Sequence, residues 1–261
     1  MITLAALADR PLWVAWQQQD RPGGKPTKVP YGPHGRPARA NDPRSWGTRL
    51  QAEVCAATLP RPYGIGGVGI ELGEPGNGTS IGGVDLDSCC DRGGPLLEWA
   101  SDVVARLASY TETSSSGRGA KVFFLYATAD LAALRVAGLI DAGDSAKRKA
   151  GFGRQFKRGG DDHPPAIELH LGNRYFAVTD QRLPDAPATL RLVSRDRSAV
   201  VAARSRPGLG REAGDGESRR RGWQPNRGSV SQGCRAASGG EDLLRDGGRA
   251  TCRCGDRQLG A

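Results

Sequence analysis

The sequence predicts an α+β fold in which strands and helices mix without a strict βαβ repeat. Three observations carry this. Short strand-like runs recur at residues 81–87, 121–126, 166–171 and 175–179. Helical spacing of apolar residues is confined to three separate segments. Finally, 38 Gly and 17 Pro in 261 residues supply many turns.

The first element is a strand candidate at residues 10–16 (Arg-Pro-Leu-Trp-Val-Ala-Trp), followed by a turn-rich segment at 23–31. Asp42-Pro43 pairs a capping carboxylate with a proline suited to the first helical position, so a helix is predicted from there through Trp46 to about Ala57. A second helix is predicted over 96–107, where Leu97, Ala100, Val104 and Leu107 fall on one face, and a shorter third over 131–140. The strands at 166–171 and 175–179 flank Gly172-Asn173 and read as a hairpin. Gly64-Ile65-Gly66-Gly67-Val68-Gly69 matches G-x-G-x-x-G, but Pro60 and Pro62 precede it and no helix opens on it, so a dinucleotide site is rejected.

Charge divides the chain at about residue 190. The net charge is +9, yet residues 191–261 hold 15 Arg, no Lys and 8 acidic residues, leaving only +2 for residues 1–190. Residues 1–190 are therefore read as the folded domain. Residues 191–261 are read as an Arg/Gly-rich tail, either disordered or the product of a shifted reading frame, with too little apolar surface to offset chain entropy. Such a tail can bind phosphates by counterion release or remain a solvated segment. No run approaches the roughly 18–20 apolar residues of a membrane span, and the N-terminus lacks a basic-then-apolar leader. With Cys89 adjacent to Cys90, a disulfide framework is a poor fit, and a cytoplasmic location is expected. Cys234, Cys252 and Cys254 offer three thiolates, without the paired C-x2-C spacing of a zinc site.

Three motifs could carry chemistry. On a strand, Asp85 and Asp87 of Gly82-Gly83-Val84-Asp85-Leu86-Asp87 point to one face while Val84 and Leu86 point to the other. Two such carboxylates repel unless cations lie between them, and hard oxygens suit Mg²⁺ or Mn²⁺. An ordinary acidic strand end has the same pattern. Ser116, Gly117 and Gly119 lie in a Ser/Gly loop leading to Lys121, an arrangement that can cradle an anion, or simply a flexible loop. In Ala166-Ile167-Glu168-Leu169-His170-Leu171, Glu168 shares a face with His170 and could add a third carboxylate; a half-exposed strand would look alike. There is no Walker A or H-E-x-x-H motif.

Taken in order, K-P-T-K-V-P-Y (25–31), N-D-P-R-S-W-G-T (41–48), G-V-D-L-D (83–87), S-Y-T-E-T-S-S-S-G-R-G-A-K (109–121), I-E-L-H (167–170) and R-Y-F-A-V-T (174–179) resemble the bifunctional DNA primase/polymerase N-terminal domain of phage and plasmid replication proteins, in the archaeo-eukaryotic primase superfamily. The resemblance spans roughly residues 8–190. It implies a palm-like core related to the RNA-recognition-motif sheet, with an N-terminal αβ addition. It implies two Mg²⁺ or Mn²⁺ ions on Asp85, Asp87 and Glu168, which would be the catalytic carboxylates. It places an incoming nucleoside triphosphate against Ser116, Gly117, Gly119 and Lys121, with Arg174 assisting, and makes Lys25 and Lys28 weaker candidates for contact with a DNA template. A lysine at 121 stands where many relatives have histidine and supplies charge, not proton exchange near neutrality. Larger relatives carry a helicase ATPase, so a separate replicative helicase is an expected partner; no membrane is. The alternatives are a non-catalytic nucleic-acid-binding remnant of a truncated replication protein and a metal-dependent nuclease or phosphodiesterase.

Overall fold

In the computed structural model, residues 1–90, 94–136, 140, 143–144, 149–150, 152–157 and 164–194 are described. The strand expected at 10–16 is β1 (Trp13–Arg21). The turn-rich segment after it is a strand, not a loop: beyond a tight turn with Gly23 at φ 68°, β2 (Gly24–Tyr31) pairs antiparallel with β1. Its prolines, Pro26 and Pro30, are tolerated because β2 is an edge strand.

The predicted helix from Asp42 divides in two. Asp42 caps only a 3₁₀ turn, Pro43–Ser45, accepting from the Arg44 N–H. The chain then extends through Trp46, and Gly47 exchanges hydrogen bonds of 2.8 and 2.9 Å with Trp13. Helix α1 (Arg49–Thr58) starts afresh on a capping box between Thr48 and Gln51. The bridge to Trp13 prevails over local helix propensity. Gly47 is needed there because a Cβ would lie 2.4 Å from Pro33.

The remaining elements are β3 (Gly66–Gly76), β4 (Thr79–Asp87), α2 (Glu98–Leu107), β5 (Thr111–Thr113), β6 (Ala120–Ala127), α3 (Asp130–Val136), β7 (Gly143–Asp144), β8 (Lys149–Ala150), β9 (Gly153–Lys157), β10 (Ala166–His170) and β11 (Arg174–Val178). The rejected glycine motif feeds into β3. Its glycines have a packing role: a Cβ at Gly69 would lie 2.7 Å from the Tyr175 ring, and Gly67 faces the Trp16 indole.

The fold is α+β. Nine strands form one sheet in which every pairing is antiparallel, ordered β2-β1-β3-β4-β10-β9, with β11 also on β3, β6 on β4, and β5 on β6. β7 and β8 form a separate two-stranded ladder. The predicted hairpin of β10 and β11 does not form. Gly172 (φ 148°) and Asn173 (φ 56°) redirect the chain, so β10 lies between β4 and β9 while β11 joins β3. The apolar residues explain the parting: Leu169 and Leu171 pack in one core, Phe176 and Val178 in another.

β6 separates these two cores. Phe123 and Leu125 face the first, under α1 residues Ala52, Cys55 and Ala56; Val122, Phe124 and Tyr126 face the second, under α2 residues Ala100, Val103 and Leu107. Packing continues past residue 190, since Val193 is buried and its N–H reaches the Leu125 carbonyl at 2.7 Å. Cys55, Cys89 and Cys90 are buried free thiols. No helix among the described residues is long and apolar enough to cross a membrane. The tail from residue 195, with Cys234, Cys252 and Cys254, lies outside the described residues.

Candidate functional site

β4 changes character along a single face. Ile81 is in the first core, Gly83 lies beneath the Phe176 ring, and Asp85 and Asp87 follow where that face opens into a cleft. Val84 and Leu86, on the opposite face, are fully buried in the second core. The apolar side thus fixes the strand, and strand parity delivers both carboxylates to the cleft.

Neighbouring strands add to the same row. In register, Glu112 (β5) pairs with Lys121 (β6), Lys121 with Asp85 (β4), Asp85 with Glu168 (β10), and Glu168 with Gln155 (β9). Directly paired residues share a face, with Cβ atoms about 4.5–5.5 Å apart. Two acids far apart in sequence are therefore held side by side by backbone hydrogen bonds.

Asp85, Asp87, Glu168, Ser116, Lys121 and Lys28 line one cleft of about 480 Å³. Arg174 lines two adjoining spaces of about 430 and 470 Å³, which share Glu168 and Asp85 respectively with the first. Gly117 and Gly119 are not brought to the acids: they line a space on the other side of their loop, with Leu96, Val104 and Leu183. Gly117 (φ 70°) makes the turn, and Gly119 lets the loop press on β4, where a Cβ would lie 2.5 Å from the Leu86 carbonyl. Lys25 lies on the exposed end of β2, outside all three spaces.

Several of the charged groups have definable partners. The Lys121 ammonium donates to Asp85 Oδ2 and lies 4.5 Å from the Phe176 ring centroid. Asp85 Oδ1 is buried without a hydrogen-bond partner. Glu168 accepts from Gln155 at Oε1, meets His170 Nε2 at 3.1 Å through Oε2, and has Arg174 at 3.6 Å. The His170 bond, more than any other influence, holds the Glu168 carboxyl below its ordinary range. Burial, then the Asp85 charge, pushes Asp87 up to about 6. Lys28 donates to Ser115 across the cleft, with its ammonium 5.0 Å from the Trp16 centroid. Desolvation around that ammonium, then Lys121, lowers its pKa, although much of the side chain is exposed. Glu112, at the far end of the row, ties the backbone that follows β11 to β5. It accepts from the N–H groups of Thr179 (2.8 Å) and Asp180 (3.1 Å) and from Tyr110.

Among the described residues, no three His, Cys, Asp or Glu side chains are gathered into a ready metal-binding group. Lys121 holds Asp85, while Gln155 and His170 hold Glu168. The donor chemistry still suits a hard cation, and the bare Asp85 Oδ1 is an oxygen whose burial a cation would relieve.

Sequence reasoning overlooked Arg118 and Gln155, which line the cleft, and gave His170 no more than a neighbour's part. Arg118 stands inside the Ser/Gly motif, and its charge was the available signal. Gln155 left none, because Gly153-Arg154-Gln155-Phe156-Lys157 carries no apolar alternation.

No family model matches the chain. Over 180 residues, 68% of its length, it is 30% identical to a DNA primase-polymerase of Nitratiruptor phage NrS-1. The match covers 20% of that relative, so the chain spans about a fifth of its length.

Proposed function

Since the chain belongs to the DNA primase-polymerase family, we propose that it catalyses template-dependent nucleotidyl transfer in phage or plasmid DNA replication. The observation that carries this is the register of Lys121, Asp85 and Glu168 across three adjacent strands beneath one open cleft. On this reading the central sheet is a palm-like core, DNA template and nucleoside triphosphates are the substrates, and a replicative helicase is a partner in replication.

Asp85, Asp87 and Glu168 would hold Mg²⁺ or Mn²⁺. When bound, such a cation lowers the pKa of a primer 3′-hydroxyl and neutralises charge on the triphosphate. The chain's own groups do the rest. Ser116, Arg118 and Lys28 face the acids from the loop side and β2 and can position the triphosphate; Arg174 approaches from the β11 side. The 3′-oxygen bonds to the α-phosphorus, the bond to the β-phosphate oxygen breaks, pyrophosphate leaves, and the hydroxyl proton passes to solvent. Lys28, held at Ser115, is better placed for the nucleotide than for a distant stretch of template.

The test is primer extension with Mg²⁺ or Mn²⁺ on a primed DNA template. Asp85→Asn and Asp87→Asn are each expected to lower incorporation by at least about 100-fold with unchanged circular dichroism. Full activity in either variant overturns the assignment. An unmodified chain that binds the template but adds nothing would be a non-catalytic remnant, and one that releases nucleotides would be a nuclease.

A further inference from the structure

The family resemblance implies a pair of divalent cations at this centre, but the chain's own charges leave room for one. Resting on the nucleotidyl-transfer reading, we infer that the Lys121 ammonium is a built-in cation standing in for one ion at Asp85, so that the centre takes a single Mg²⁺ or Mn²⁺.

The placement of Lys121 is the first ground. It is the direct cross-strand partner of Asp85, and the two bonded side chains are only 7% and 13% exposed. The ammonium is also held against the Phe176 ring at 4.5 Å. That ring cannot easily retreat: it is 1% exposed and lies so close to β4 that a Cβ at Gly83 would be 2.3 Å away. Lys121 is therefore fixed where a loop lysine would be free to swing aside.

Charge balance is the second ground. Three carboxylates, Asp85, Asp87 and Glu168, face four basic side chains, Lys28, Arg118, Lys121 and Arg174, in the cleft and the space beside it. The centre is already neutralised by protein. Two divalent ions would leave it strongly positive before a triphosphate arrived, and like charges a few ångströms apart in a partly buried site repel strongly.

Oxygen availability is the third. Glu168 gives Oε1 to Gln155 and Oε2 to His170. Asp85 gives Oδ2 to Lys121 and keeps Oδ1, which has no partner. With Oδ2 committed to an ammonium, Asp85 offers one open oxygen, which suits one cation shared with Asp87 and with the lone pairs Glu168 keeps while accepting those two bonds.

Mn²⁺ titrated into the full chain with primed DNA and a non-hydrolysable deoxynucleoside triphosphate tests this by electron paramagnetic resonance. One ion per chain with an uncoupled six-line spectrum is expected. Lys121→Met, which keeps bulk and removes charge, is expected to raise the count to two ions with the exchange coupling of a pair about 4 Å apart. If that variant does not fold, the unmodified chain decides alone. A coupled pair in the unmodified chain, or a single ion persisting in folded Lys121→Met, overturns the inference and leaves nucleotidyl transfer standing. No bound Mn²⁺ in the unmodified chain overturns both.

Discussion

Glu71 gives the sharpest test of the energetics, and it lies outside the proposed chemistry. It sits in the middle of β3, fully buried, opposite Tyr175, and neither carboxylate oxygen has a hydrogen-bond partner. Burial pushes its pKa from 4.5 up to about 8. Between these values the unfolded chain releases a proton that the folded chain keeps, so stability falls as pH rises. At about 1.4 kcal/mol per unit, the loss is roughly 3 kcal/mol at pH 7 and roughly 5 kcal/mol once pH passes 8. Below about pH 4.5 Glu71 costs nothing through ionisation, because both states are protonated. Glu71→Gln keeps the shape and cannot ionise, but it leaves a buried amide that costs about 1–3 kcal/mol if unpartnered. The variant should therefore match or fall below the parent at about pH 5 and exceed it by roughly 2–4 kcal/mol at about pH 8.5. Urea unfolding followed by tryptophan fluorescence at both pH values measures the difference. Parallel pH profiles for the two proteins would refute the reasoning, since they would mean Glu71 ionises equally in both states.

Further outcomes follow from the packing. Gly83→Ala places a methyl 2.3 Å from the Phe176 ring, so a loss of about 1–3 kcal/mol is expected in denaturant melts, with reduced primer extension as the ring shifts beneath Lys121. Thr48→Ala removes the α1 capping box, which should cost about 1 kcal/mol and lower the thermal midpoint by about 2–4 °C with extension intact. Lys28→Ala breaks the link to Ser115 and should raise the nucleotide KM more than it lowers kcat; the opposite split would argue that Lys28 does not hold the triphosphate.

What the sequence disclosed about this site follows from parity. Asp85 and Asp87 sit two apart on a strand whose other face is apolar, and Glu168 shares a face with His170 in the same way. Alternation is local, so it can be read without a partner. The identity of neighbouring strands is not local. Nothing in residues 166–179 tells that β10 will lie on β4 while β11 goes to β3; that is decided by which core takes Leu169 and which takes Phe176. The same holds for β3, whose glycines mimic a phosphate loop although they make room for the Trp16 and Tyr175 rings. At Trp46 and Gly47, a bridge back to Trp13 on a strand distant in sequence interrupts what looked like one continuous helix. Local rules succeed where one element decides the outcome and fail where two elements decide it jointly.

The row from Glu112 to Gln155 also sets how this gene can drift. Five strands must keep step, and the phase of each is binary. Inserting one codon upstream of Glu168 within β10 would turn that acid toward the apolar core and offer the cleft an aliphatic side chain instead, even though no residue had been replaced. Single-codon insertions should therefore be far more damaging within these strands than in the connecting turns. An insertion scan would trace the active row as a pattern of intolerance, without any substitution being made.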